Sequence, residues 1–389
     1  MQLNTKVSLL YDSQAFDIQR YGGVSRYFSS LFEEFDKRQD ISYQLPIGAN
    51  DNEYLKEMEQ FSSSKYRRGA LWSGKDFKGK KTLLRIADKA SPGSSFNKGI
   101  KSLQQHAFDL FHPTYYDPYF LKYLGEKPFV LTVHDMIHEK YPMYFKNDRF
   151  PDFKKKVIPL ATKIITVSAH TKKDLMELYG IAEEKIQIIH LANSLAPILE
   201  KPAGVQELPE RYILYVGSRS RYKNFQGFIK AIAPLLNEDK TLHVIAAGGY
   251  AANNTFSNEE LNLFATLGID ENRMHQFSIN DTILAWLYKN ALCFIFPSLY
   301  EGFGIPVLEA FACGCPAILA NRSSLPEVGG NAVLYINPDE EEDIRAKIKQ
   351  VLDNIDLRKE LVEKGYERLK AFSWKHTAEQ TIELYKTII

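Results

Sequence analysis

Short apolar runs alternate along the chain with longer stretches in which apolar residues return every three or four positions, and the two periods mark strands and helices. KVSLLYD opens as a strand and YGGVSRYFSSLFEEF follows as a helix. PFVLTVHD, KIITVS and KIQIIH read as further buried strands, with AHTKKDLMELYG helical among them. The pattern breaks at residues 196–210, APILEKPAGVQELPE, where three prolines and a glycine mark an interdomain linker. A second series then begins: RYILYVGS, TLHVIAAGG, CFIFPS, PAILA and VLYIN, again alternating with helices. Strands alternating with helices predict an α/β fold of two doubly wound, Rossmann-like domains, residues 1–195 and 211–372. The stretch FSWKHTAEQTIELYKTII has Ile382, Tyr385 and Ile389 at helical spacing, so residues 373–389 are expected to form a closing helix packed back on the first domain. Residues 46–100 are the one irregular zone.

A length of 389 residues suits two domains, each with its own core. The net charge of +1 argues against a general nucleic-acid binder, whose footprint is a strongly basic domain or stripe. The balance is uneven locally: residues 65–89 carry nine Lys or Arg against Asp76 and Asp88, beside Trp72, Phe77, Leu83 and Leu84. That segment is either a solvated face or a patch for anionic lipid or a phosphorylated acceptor. Cys293, Cys313 and Cys315 are too few for a disulfide framework, which points to a reducing compartment. Cys313 and Cys315 lack the further ligands a metal site needs. With no apolar leader and no run of membrane-spanning length, the expectation is a cytoplasmic protein, with the inner membrane face as a place it could work.

The chemistry concentrates in FPSLYEGFGIPVLEAFACGCP, residues 296–316. A buried strand ends there, Gly302 and Gly304 permit a tight turn, Pro306 suits the first position of a helix, and Gly314 and Pro316 stop that helix. The free N–H groups and dipole of such a helix start attract a phosphate. Glu301 lies at the carboxyl end of the strand and Glu309 about one turn into the helix, so both carboxylates can face one crevice. A second loop, GSRSRYK, follows the strand YILYV and brings Ser218, Arg219, Arg221 and Lys223 to another carboxyl end. Gly22 and Gly23 in YGGV either let backbone approach a phosphate or simply permit a strand-to-helix turn. His134 and Asp135 close the run PFVLTV.

From QRYGGVSRYF through TVHDMIHEKYP, KIITVSAHTKKDL and YVGSRSRYKNF to EGFGIPVLEAFACGCP and SLPEVGGNAVLYINP, nearly the whole chain resembles the retaining glycosyltransferases of family four, which have the GT-B fold, and among them α-mannosyltransferases of surface-polysaccharide synthesis. The resemblance implies a hexosyltransferase using a nucleotide sugar, with GDP-mannose the leading donor, and a carbohydrate or lipid-linked oligosaccharide acceptor. It implies no cofactor and no metal. Glu301 would hold hydroxyls of the donor sugar, Glu309 the ribose, and the backbone of Gly304, Ile305 and Pro306 the distal phosphate, Pro306 without an N–H. Lys223, six residues after Gly217 as in the family, would neutralise the leaving diphosphate. Where many members have Arg directly after that glycine this chain has Ser218, so the second charge falls to Arg219 or Arg221. His134 matches the family histidine that approaches the donor sugar, and Gly22 and Gly23 the turn that approaches the diphosphate. A front-face reaction follows from the resemblance, with the leaving phosphate helping to deprotonate the incoming hydroxyl.

Other chemistries stay open on the residues alone. HDMIH differs by one methylene from the zinc-protease motif H-E-x-x-H, but His134 closes a strand-like run and no third ligand follows. Another nucleotide-sugar donor of the UDP-glucose or UDP-GlcNAc type, an epimerase, a phosphorylase and a noncatalytic sugar-nucleotide-binding module all fit the same architecture. The stretch QFSINDTILAWLY, where the resemblance expects the base pocket, does not distinguish guanine from uracil.

Overall fold

The computed structural model describes residues 6–62, 93–146, 148–202, 207–248, 255–277 and 280–389; the basic segment 65–89 lies outside them. In the first half, β1 (Val7–Tyr11), β2 (Ile41–Gln44) and β3 (Leu110–His112) form a parallel sheet in the order β2-β1-β3, and β4 (Val130–Val133), β5 (Lys163–Thr166) and β6 (Ile186–Ile188) form another in the order β4-β5-β6. A parallel bridge between Phe111 and Phe129 joins their edges. The second half is one parallel sheet of β7 (Tyr212–Val216), β8 (His243–Ala247), β9 (Met274–Phe277), β10 (Cys293–Phe296), β11 (Ala317–Ala320) and β12 (Leu334–Ile336), in the order β12-β11-β10-β7-β8-β9. Its central strands are buried along their whole length, as CFIF, AILA and YILYV require.

Three strands carry too little local signal to stand out in the sequence. In β2, ISYQ, only Ile41 is fully buried; β3 is three residues long; β9, MHQF, is a half-exposed edge. The zone expected to be irregular contains short helices at Glu53–Glu57 and Glu59–Ser62 and the start of Ser95–Gln105. The helix after Glu301 starts at Ile305, so Pro306 holds its second position and not its first.

Strand order places the ligand crevice. In the second sheet β8 and β9 lie to one side of β7, and β10 to β12 lie to the other, so the topology switches between β7 and β10. At such a point the loops leaving the two carboxyl ends diverge and open a crevice. Here those loops are 217–224 and 297–304.

The chain then returns to the first half. The Trp374–Lys386 helix packs on the Gly23–Asp36 helix. Its Tyr385 is fully buried, with its hydroxyl 2.7 Å from that of Tyr11 and 2.5 Å from His112 Nδ1. Lys386 Nζ lies 2.8 Å from Asp40. Among the described residues no helix is long and apolar enough to cross a membrane.

Candidate active site

Lys223 ends the short turn Arg221–Lys223 after β7, and Glu301 stands on the loop after β10. The switch point brings them together: Nζ donates to Oε1 at 2.5 Å, with side chains 16% and 13% exposed. Burial opposes the ammonium charge, but Glu301 more than offsets it, so the lysine pKa is raised. The loop holding Glu301 is tightly fixed. Glu301 N–H donates to Ser323 Oγ at 2.8 Å, and Ser324 Oγ donates to the carbonyls of Glu301 and Phe303, each at 2.8 Å.

Two glycines in this loop are dictated by geometry. Gly304, at φ +112, caps the Ile305–Ala312 helix in a conformation that side chains strain to adopt. At Gly302 a Cβ would lie 1.8 Å from the carbonyl oxygen of His134, so the loop presses directly against the first half. The carbonyl of Gly302 is in turn held from across the cleft by Ser168 Oγ at 2.7 Å and Thr171 Oγ1 at 3.2 Å. Gly23 faces the start of the same helix: a Cβ there would meet Ile305 Cδ1 at 3.9 Å. Gly22 stands just before the Gly23–Asp36 helix in extended backbone. The glycine turn of one half thus meets the helix N-terminus of the other.

His134 leaves β4 on the first-half wall, with its ring edge-on to Tyr27 at 5.3 Å. Its backbone N–H donates to Tyr116 Oη at 3.1 Å, and its Nε2 is buried with no hydrogen-bond partner among the described residues. Burial, partly countered by Asp135 and reinforced by Lys154, lowers its pKa to about 4, which keeps the ring neutral near pH 7.

Glu309 is buried and has only long contacts, to Arg26 Nη1 at 3.4 Å and Tyr288 Oη at 3.3 Å. Burial raises its pKa. Arg26, from the first half, spends its better hydrogen bonds on Asp281, at 2.5 and 2.7 Å, and on Tyr54 Oη at 3.1 Å. Pro306 directs its carbonyl to the Tyr288 hydroxyl at 3.1 Å, so that oxygen is already engaged.

The remaining cations separate. Arg219 donates to Glu260 at 2.5 Å and to the Thr255 carbonyl at 3.4 Å and lies over the rings of Phe225 and Phe256, while its Nη1 is buried without a partner. Arg221 is exposed. Ser218 pairs its hydroxyl with Ser220 at 2.9 Å. The structure therefore gathers Lys223, Glu301, His134, Gly23, Gly304 and Ile305 at one crevice, with Glu309 one turn deeper, and holds Arg219 in a separate ion pair. His134 and His138 do not share a helix, since His138 lies in the turn Ile137–Lys140 beyond β4. Among the described residues no three His, Cys, Asp or Glu side chains converge as metal ligands.

Sequence reasoning did not single out Arg26, Asp281, Ser168 or Thr171. Arg26 carried a usable signal, because it sits in a helix turn between a glycine pair and Tyr27-Phe28, where a solvated cation is out of place.

Two family models match the chain: "Glycosyl transferases group 1" over residues 200–368 and "Glycosyltransferase Family 4" over residues 74–192. The O-antigen chain mannosyltransferase B of Escherichia coli is 30% identical over 299 residues, covering 74% of this chain and 76% of that protein. The O-antigen chain mannosyltransferase RfbU of Salmonella typhimurium is 29% identical, covering 57% and 60%. Among solved structures, a sucrose-phosphate synthase from Thermosynechococcus elongatus superposes with a TM-score of 0.74 over 98% of this chain and 99% of that chain, at 19% identity. Anabaena HepE in complex with UDP and glucose gives 0.69 over 98% and 99%, at 15% identity, and these two likenesses bear on the fold.

Proposed function

The chain belongs to the family four glycosyltransferases of the GT-B fold, and from that premise we propose that it is a retaining transferase moving mannose from GDP-mannose to a carbohydrate or lipid-linked acceptor. The observation that carries the catalytic part is the Lys223–Glu301 pair at the β7/β10 switch point, with the backbone of His134 from the other half packed against the adjoining Gly302. The names of the two O-antigen relatives support mannose.

In this reading the donor diphosphate enters between Gly23 and the Ile305–Ala312 helix and draws Lys223 away from Glu301. The ammonium then meets the charge that develops as the glycosidic bond breaks, and the freed Glu301 carboxylate accepts hydroxyls of the sugar. Glu309, held only by long contacts, takes the ribose hydroxyls. His134 offers a neutral imidazole to the sugar, and its unpartnered Nε2 supplies the hydrogen bond. The meeting of the two halves excludes water that would hydrolyse the donor. Lys223 and the helix N-terminus provide the positive charge, so no metal is assigned.

A thermal-shift panel of nucleotide sugars in EDTA tests this. GDP-mannose at 100 times its dissociation constant should stabilise the fold by about 2.7 kcal/mol, and UDP sugars at the same concentration by far less. Mannosyl transfer to an acceptor with retained anomeric configuration completes the expected result. A shift with UDP-glucose or UDP-GlcNAc alone overturns the donor assignment. Binding without transfer across an acceptor panel supports the noncatalytic module instead.

A further inference from the structure

Lys154 presents a physical problem. It belongs to the Phe150–Val157 helix, its side chain has no exposure to solvent, and a fully buried ammonium is strongly destabilising unless its hydrogens are all used. It shares a helix face with Phe150, Val157 and Ile158, so an apolar side chain would fill the space at lower cost. The function of the charge must lie in what it touches.

Its Nζ donates to the backbone carbonyl of Asp135 at 2.8 Å and to Glu139 Oε2 at 3.1 Å, and lies 3.8 Å from Asp135 Oδ1. The same ammonium sits over the ring of Tyr116 at 5.1 Å. Tyr116 is the residue whose hydroxyl accepts the His134 N–H. Lys154 therefore contacts both supports of His134: the carbonyl that follows it and the ring that receives its amide. Glu139 is braced in turn by the Tyr179 hydroxyl at 3.0 Å. The His134 carbonyl is the atom against which Gly302 packs, so a displaced 134–139 turn would push on the loop that carries Glu301.

We infer that Lys154 is a positioning residue for the transfer reaction, holding the turn that carries His134 in register with the Glu301 loop across the cleft. The inference rests on the role given to His134 above.

The electrostatics agree with the geometry. Around the imidazole stand Tyr27 and Phe28 from the Gly23–Asp36 helix, His112 from β3, Tyr116 from the loop after it, Asp135 from its own turn and Lys154 from the helix beneath. Across the cleft are Lys223 and Glu301, with Lys223 close enough to feel the charge of Asp135. Burial is the main reason His134 stays neutral, Asp135 pulls toward the protonated form, and Lys154 opposes that pull. Without Lys154 the imidazole should protonate at higher pH.

The test compares Lys154→Met, Lys154→Arg and His134→Ala in the full chain with GDP-mannose and an acceptor. For Lys154→Met the expected result is a kcat about 100-fold lower with donor KM changed less than about threefold. The acid limb of its kcat/KM profile should move up by about one pH unit. Lys154→Arg should return the limb toward its original position by restoring the charge. A Lys154→Met protein that melts lower but keeps the wild-type acid limb and kcat overturns the inference and leaves a packing role. If Lys154→Met fails to fold, the limb of Lys154→Gln decides in the same way. If His134→Ala retains full turnover, the role of His134 itself is wrong, an outcome distinguishable from failure of Lys154 alone.

Discussion

Glu301 and Glu309 stand eight residues apart in the chain yet are partnered in opposite ways. Glu301 pairs at 2.5 Å with Lys223 of its own half, whereas Glu309 reaches at 3.4 Å toward Arg26 of the other. The first pair does not depend on contact between the halves, because both loops leave one sheet. The second exists only while the halves meet. The difference matches the proposed roles: a charge pair built within one half for the bond-breaking step, and an under-satisfied carboxylate for the donor's hydroxyls.

The sharpest way to break this comparison is to remove each member in turn. Lys223→Ala should lower kcat by roughly 100- to 1,000-fold, the loss expected when one preorganised charge is taken from a transition state. Glu301→Ala should also act mainly on turnover. Glu309→Ala should instead weaken donor binding by roughly 10- to 100-fold, the range for losing hydrogen bonds to a charged group. Steady-state kinetics with direct donor titration separates the two patterns, and the reverse assignment would mean the two glutamates have exchanged roles.

A smaller effect tests the cross-cleft cation. Arg26→Gln leaves Glu309 buried without its positive neighbour and should cost about 3 kcal/mol in denaturant unfolding. Asp281→Asn should cost less than about 1 kcal/mol, because Asp281 is 54% exposed and water replaces the lost partner. Equal costs for the two variants would show that the fork to Asp281, and not the charge beside Glu309, holds the contact.

The mildest test uses pH. Burial raises the Glu309 pKa above that of a free glutamate, with Arg26 only partly restoring the charged form. A group whose folded pKa is raised binds its proton more readily in the native state, so acidification through that range favours the folded protein at this site while removing the carboxylate proposed to receive the ribose. Donor affinity should therefore fall, as pH drops, at a pH above the ordinary glutamate value, and Glu309→Gln should flatten the dependence. Isothermal titration across the acid range measures it; an unchanged slope in Glu309→Gln would move the effect to another group.

Much of this arrangement is legible in the sequence. Buried strands such as CFIF and YILYV announce themselves because both faces are apolar; Glu301 and Lys223 stand out because each follows such a strand at a turn, and Glu309 because it lies in the helix that the Glu301 turn begins. Gly304 could be read as a turn glycine, but Gly302 is fixed by a backbone 168 residues earlier, at His134, which no local pattern contains. Arg26 and Glu309 are separated by 283 positions. Lys154 hides for a different reason: it is the first of three consecutive lysines, KKK, and such a run reads as a solvated face. Only its helical phase with Phe150, Val157 and Ile158 betrays that one of the three points inward. Arg219 shows the converse. Its place in GSRSRYK suggests the crevice, yet the carboxylate of Glu260, on the Asn258–Thr266 helix, holds it aside.

The hydrogen bond between Tyr11 and Tyr385 joins residues 374 positions apart. At ribosomal speeds of about 5–20 residues per second, tens of seconds separate the emergence of the two tyrosines. Once His112 has emerged, the earliest sheet has all its strands but lacks the side chain that closes over that histidine. The nascent first half must therefore wait with a polar pocket open to solvent, and its final consolidation is timed by translation of the Trp374–Lys386 helix.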